Sequence, residues 1–149
     1  NIEPKIIAEK YLEEEGKDVL YDYKFFCFNG EPKFLQIDIE RGIKDYRCYY
    51  DLNWLKLPFS ISKRPMFNYN VPKPSNFEEM KSLAASLAGN LPFARVDFYS
   101  VNSKTIFGEI TFYPEDGKVN FLPDEYNSII GDYLTLPKIP ETQNIITVF

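Results

Sequence analysis

The sequence has no histidine and only two cysteines in 149 residues. Without histidine, Ser–His and Cys–His nucleophilic pairs and imidazole-ligated zinc are excluded from this chain. Any metal it holds must be a hard cation on oxygen ligands, such as Mg²⁺. Cys27 and Cys48 each fall within an apparent strand. They read as buried thiols of a reducing compartment, not as a disulfide, which gives a cytoplasmic expectation. Positive charge is also scarce, with 17 Lys and Arg against 22 Asp and Glu and no basic run. Nucleic-acid binding by phosphate neutralisation is therefore not expected. No apolar run approaches the length of a membrane span, and no signal-peptide pattern is present. Seven glycines occur, none clustered as a phosphate cradle. The chain begins at Asn1 and not at Met, and reads as a piece of a longer protein.

What the chain has in quantity is aromatic residues, 17%, mostly Phe and Tyr. That suits a folded, strand-rich domain, and the length allows one domain with a real core. Lys5–Gly16 fits a short strand or the start of a helix. In Asp22–Arg41, two strand-like runs flank Asn29-Gly30, a strong two-residue hairpin signal. Lys44–Trp54 reads as a third strand. Leu55–Ser75 carries four prolines and no periodicity, and reads as a long surface loop that either closes over a substrate or covers the core.

Asn76–Gly89 reads as a helix, with Asn76 as cap, Gly89 as stop and an apolar stripe of Phe77, Met80, Leu83, Ala84 and Leu87. Asp124–Leu134 reads as a second, shorter helix. The order of elements gives an α+β fold, a mainly antiparallel sheet with two to three helices.

The stretch RVDFYSVNSKTIFGEITF, residues 95–112, reads as a hairpin turning near Ser103. Alternation puts Arg95, Asp97 and Tyr99 on one face of the first arm. Phe107, Glu109, Thr111 and Tyr113 share a face of the second arm, and Ile106, Gly108, Ile110 and Phe112 take the core side. Asp97 then falls opposite Glu109, and Arg95 opposite Thr111. Like charges placed this way destabilise a sheet. Either a divalent cation lies between the carboxylates, or they are surface acids neutralised by Arg95 or Lys104.

DYKFFCFNGEPKF, YYDLNW, FARVDFY and GEITFYP, in this order, resemble the TupA-like ATP-grasp family. That family is associated with cell-surface polysaccharide and teichuronopeptide synthesis. The resemblance runs from about Lys5 to Leu136. It implies a partial ATP-grasp domain over residues 1–136, the C-terminal portion of that fold, followed by a tail over 137–149. It implies ATP and Mg²⁺, with Asp97, Glu109 and Thr111 as metal ligands, Thr111 standing where most ATP-grasp enzymes have Asn.

It further implies an adenine hinge at Ala8–Leu12, with Glu9, Tyr11 and Leu12 as nucleotide contacts, and Asp22 as the acid toward the ribose hydroxyls. Lys24 and Arg95 are the candidate catalytic cations, reaching phosphate or substrate. Glu9, Asp22 and Lys24 also admit plainer readings as a surface acid, a strand start and a solvated edge residue. Trp54 and the run Tyr46–Tyr50 read as packing.

The phosphate-contacting Lys and the glycine-rich covering loop of ATP-grasp enzymes have no counterpart here. The expected partner is thus the remaining N-terminal part of the protein, and weak nucleotide binding without turnover is expected of this piece alone. The implied chemistry is ATP-dependent ligation through an acyl phosphate, on a small-molecule or polymer-precursor carboxylate. A glycosyltransferase is the alternative, although Asp38-Ile39-Glu40 is the nearest approach to its DxD signature. A glycan-binding module reading sugars with Tyr and Trp is a third.

Overall fold

The computed structural model describes residues 3–14, 16, 19–41, 44–61 and 65–138. Five strands form one antiparallel sheet: β1 (Asp22–Phe28), β2 (Glu31–Arg41), β3 (Lys44–Asp51), β5 (Phe93–Val101) and β6 (Lys104–Thr111), in the spatial order β3-β2-β1-β5-β6. A second, two-stranded ribbon pairs β4 (Ser60–Ile61) with β7 (Phe121–Leu122). The helices are α1 (Phe77–Ala88) and α2 (Glu125–Gly131). The α+β reading with a mainly antiparallel sheet holds, with two α-helices among the described residues.

Asn29 and Gly30 both take positive φ, 51° and 83°, and join β1 to β2 in the mirror-image turn that matches strand twist. Asn102 and Ser103 do the same between β5 and β6, at 51° and 60°. Alternation then sorts the sheet into two faces. Tyr23, Phe25, Cys27, Leu35, Ile37, Ile39, Cys48, Tyr50, Ala94, Val96 and Phe98 face α1 and form the main core. The other face is aromatic at one end, where Phe26, Phe28, Phe34 and Tyr49 pack with Phe59, Ile61 and Ile130. Toward the Asp22 end of β1, that same face turns polar.

The open alternative for Leu55–Ser75 is decided, and two expectations for α1 need correction. Leu55–Ser75 covers the core: Phe67 and Val71 are buried in it, and Phe59 and Ile61 in the second cluster. The segment also contains β4. Trp54 anchors it, donating from Nε1 to the Val71 carbonyl at 2.8 Å and stacking on Tyr50. Asn76 does not cap α1 with its side chain. Its amide donates to Thr105 Oγ1 at 2.9 Å and its carbonyl oxygen accepts from Ser100 Oγ at 2.8 Å, which ties the helix to the β5–β6 hairpin. The apolar stripe is also narrower than expected. Phe77, Met80, Ala84 and Ala88 are buried, whereas Leu83 and Leu87 stay 39% and 41% exposed.

Residues 3–14 carry neither strand nor helix, so both expectations for that segment fail. Most of the tail, 139–149, lies outside the described residues.

Candidate functional site

The polar face of the sheet is built in two rows by strand register. One row runs Arg47, Asp38, Asp22, Tyr99, and the next runs Tyr49, Gln36, Lys24, Asp97. Lys24 and Asp97 are direct partners across β1 and β5. Lys24 Nζ donates to Asp97 Oδ2 at 2.6 Å and also pairs with Asp22. Asp97 is 2% exposed, so an unpaired charge there would be costly.

Arg95 supplies the second cation. Its Nε donates to Asp97 Oδ1 at 2.8 Å, and its Nη2 donates to Asp97 Oδ2 at 2.8 Å. The same Nη2 reaches Glu109 Oε1 and Thr111 Oγ1, each at 3.0 Å. Thr111 Oγ1 donates on to Glu109 Oε1 at 2.8 Å. Three oxygen-bearing side chains, Asp97, Glu109 and Thr111, therefore converge on one atom.

The carboxylates do not face each other squarely. Arg95 pairs with Thr111 as expected, but the β5–β6 register shifts between Val96 and Phe98, and Gly108 and Glu109 bulge opposite Asp97. A Cβ on Gly108 would stand 3.2 Å from the Asp97 carbonyl oxygen, so the approach suits glycine. The bulge also exchanges the faces beyond it. Phe107 turns to the core side, in edge contact with Phe98, and Ile106 leaves it to pair with Tyr99. Glu109 keeps the Asp97 face, with its side chain 63% exposed. What sits between the carboxylates is the Arg95 guanidinium, with Lys24 behind it and Lys104 uninvolved in these bonds.

Burial raises the Asp22 carboxyl above its ordinary value; the neighbouring Lys24 opposes this, and Asp97 and Asp38 reinforce it. Its Oδ1 is buried and has no hydrogen-bond partner among the described residues. Burial works against the Lys24 ammonium, but attraction to Asp22 and Asp97 outweighs it and raises the group above its ordinary value.

Beside these groups lies a cluster that the sequence reading did not single out. Arg47 holds both Asp38 oxygens from Nε and Nη2, at 2.8 and 3.0 Å, and reaches Glu115 at 3.3 Å. Gln36 donates to Asp38 at 2.9 Å. The cue was available: Gln36 and Asp38 alternate with Leu35, Ile37 and Ile39 on β2, and Arg47 stands between Tyr46 and Cys48 on β3.

Asp22, Lys24, Arg95, Asp97, Glu109 and Thr111 thus come together on one face. Glu9 and Tyr11 are exposed and Leu12 is half-buried, in the segment without regular structure, and the structure does not bring them into the hydrogen-bonded and ion-paired cluster on this face. Among the described residues no three acidic or cysteine side chains are grouped to hold a metal. A cation here would rest on two carboxylates and a hydroxyl. No helix among the described residues is long and apolar enough to cross a membrane.

Searches of curated proteins and of solved structures each found no match. The family model described as TupA-like ATPgrasp matches residues 1–135. With the match spanning most of its length, the chain belongs to the TupA-like ATPgrasp family.

Proposed function

We propose that the chain is the cation-holding part of an ATP-grasp ligase, which activates a carboxylate by phosphorylation. One observation carries this reading: Asp97, Glu109 and Thr111 present oxygens to a single point, already taken by a guanidinium nitrogen. Hard oxygen donors around one cationic atom are the donor set that Mg²⁺ uses. Asp97, Glu109 and Thr111 would hold the metal, and when bound it would neutralise charge on the ATP phosphates.

The chain's own groups suit the remaining tasks. Among the described residues, Asp22 Oδ1 is an acceptor without a donor, as a ribose hydroxyl requires. Lys24, whose ammonium is held above its ordinary value by Asp22 and Asp97 against burial, and the Arg95 guanidinium stand on the face where phosphate would lie. No protein nucleophile is needed, because the substrate carboxylate takes the γ-phosphoryl group and ADP leaves. An amine or other nucleophile then attacks the acyl carbon and displaces phosphate. In this reading the acceptor is a uronic-acid or amino-acid carboxylate on a surface-polymer precursor, and two buried free thiols support a reducing, cytoplasmic setting.

The glycosyltransferase alternative is disfavoured because Asp38, its nearest candidate acid, is fully engaged by Arg47 and Gln36. The test is calorimetric titration of Mg²⁺–ATP into the protein, its Asp97→Asn variant and its Glu109→Gln variant. Binding that requires Mg²⁺ and weakens in both variants is expected. Binding that is indifferent to both substitutions, or preference for a nucleotide-sugar over ATP, would overturn the reading.

A further inference from the structure

We propose that Arg95 is a resident stand-in for the divalent cation, so that metal entry expels its guanidinium and turns the site from a closed ion cluster into an anion-binding one. The inference rests on the ligase reading, and it concerns what this chain does before and as metal binds. Arg95 Nη2 lies within 3.0 Å of Asp97 Oδ2, Glu109 Oε1 and Thr111 Oγ1. Those are the oxygens the cation would need. Two cations cannot share that point, since like charges a few ångströms apart repel strongly in a partly buried setting. Occupation by metal and by Nη2 are therefore alternatives.

The charges make the exchange more than a swap. Asp22, Lys24, Asp97, Arg95 and Glu109 are linked by ion pairs. With both bases protonated and all three acids ionised, the group carries one net negative charge. It is close to balanced without metal, and this explains how the face keeps Asp97 buried at all. A divalent ion reverses the sign. The guanidinium it releases stays tethered to β5 beside the metal, where it adds a planar donor fork suited to phosphate or carboxylate oxygens. The metal and an anion then bind with positive coupling, because each removes the electrostatic objection to the other.

Burial does not single out the arginine, whose side chain is 11% exposed against 63% for Glu109; the bonds that the two acids keep without it support an arginine that leaves over acids that rearrange. Asp97 is fixed in the sheet by Lys24 on one side, and this bond does not involve Arg95. Glu109 is mostly exposed, and its carboxylate is oriented by Thr111 and Arg95. When the guanidinium goes, Asp97 keeps a counter-charge and Glu109 keeps the Thr111 hydroxyl. The oxygen shell thus survives the loss of Arg95.

The experiment uses Mn²⁺ as the probe, titrated into wild-type protein, Arg95→Gln, Arg95→Lys and Glu109→Gln, with free ion read by electron paramagnetic resonance. Removing the competitor should tighten Mn²⁺ binding about tenfold in Arg95→Gln, and Glu109→Gln should weaken it. In wild type, the Arg95 Nε–Hε signal, assigned by its disappearance in Arg95→Lys, should lose protection from solvent exchange as Mg²⁺ saturates the protein.

Two results overturn the inference alone: Mn²⁺ binding that depends on Glu109 but is no tighter in Arg95→Gln, or an Arg95 signal that stays protected at saturating Mg²⁺. Absence of Mn²⁺ binding in every form overturns the metal site and this inference together. If Arg95→Gln does not fold, the wild-type exchange measurement still decides the question.

Discussion

Lys24 Nζ and Asp97 Oδ2 meet at 2.6 Å across the β1–β5 pair, one 11% and the other 3% exposed at the side chain. The contact lies at the middle of the polar face and binds three acids and two bases into one cluster. Breaking a buried pair from one side leaves the other charge without compensation. Lys24→Met should therefore cost about 3 kcal/mol in urea denaturation, the low end of the usual range because Arg95 still serves Asp97. An unchanged midpoint would mean that Arg95 alone satisfies Asp97.

The same pair sets a pH dependence. Burial disfavours the Lys24 charge, but Asp22 and Asp97 more than offset it, so the folded state holds this proton to higher pH than the unfolded chain, whose lysine has the ordinary value of 10.5. The stabilisation is complete below that value and is lost as pH rises through the folded-state value. Tyr23 and Tyr49 are likewise raised by burial, so they lose stability over the same alkaline range. The difference between wild type and Lys24→Met isolates the lysine. It should shrink above pH 10.5 in denaturation curves taken at successive pH values, and a constant difference would contradict the pairing.

Gly30 should be intolerant of any side chain. Its φ is +83°, and a Cβ there would lie 2.1 Å from the Gly89 carbonyl oxygen, at the end of α1. The β1–β2 turn is thus pressed against the helix terminus, and backbone must move to admit a methyl group. Gly30→Ala should destabilise by about 3 kcal/mol, combining left-handed strain with the clash. Gly89→Ala carries strain of its own at φ +54° and ψ −126° but meets only Ser86 O at 4.0 Å, so without the clash it should cost less in thermal melts. Equal costs would show that conformation alone, and not the contact, governs both sites.

Much of this fold is local in origin and for that reason was legible. Asn29-Gly30, the alternation in Asp22–Phe28 and the periodicity of Phe77–Ala88 each specify their element without reference to the rest. Leu55–Ser75 was opaque because its prolines obscure any period, and Phe67 and Val71 become core residues only once α1 and the sheet exist. The contact of Gly30 with Gly89 has the same character. Each glycine was readable as a turn or a stop, but their proximity is tertiary.

Which side chains share the polar face was legible only in part, and their geometry was not. Arg95, Asp97, Glu109 and Thr111 share a face by parity, but the bulge at Gly108 decides their distances. A lone glycine within a strand is the usual sign of such a bulge. The β1–β2 register hides a similar step. Counting back from the turn places Lys24 opposite Leu35, a core residue, whereas the irregularity at Phe26/Cys27 brings Gln36 opposite it. That shift is what lines up Asp38 with Asp22, and Pro32, which cannot donate to the ladder, sits beside it.

Both thiols should be inert in the folded protein. Burial pushes Cys27 up to about 12, and burial also raises Cys48, although Lys56 opposes it. Cys27 lies on β1 and Cys48 on β3, with β2 between them; they oppose Pro32 and Ile37 of β2, so the offset along the strand adds to two strand spacings, a separation of roughly 19 Å that exceeds the reach of a disulfide. A disulfide-exchange reagent at mildly alkaline pH should titrate no thiol in native protein and both in guanidinium chloride. Rapid native reaction of Cys27 would show that β1 opens locally.

Thr111 decides how strongly the site holds a cation. Its hydroxyl accepts from Arg95 and donates to Glu109, so it orients two neighbours while offering one weak ligand oxygen. Thr111→Val keeps the shape but removes both bonds. It should weaken Mn²⁺ binding several-fold and loosen Glu109, with stability falling by about 1 kcal/mol for the lost hydrogen bonds. Thr111→Asn supplies a carbonyl oxygen of greater polarity on a longer arm, and an amide that can still donate to Glu109. It should tighten Mn²⁺ binding relative to wild type. Opposite shifts in the two variants would identify position 111 as a ligand. Equal weakening in both would assign Thr111 to holding Glu109 in place, with the cation resting on the two carboxylates alone.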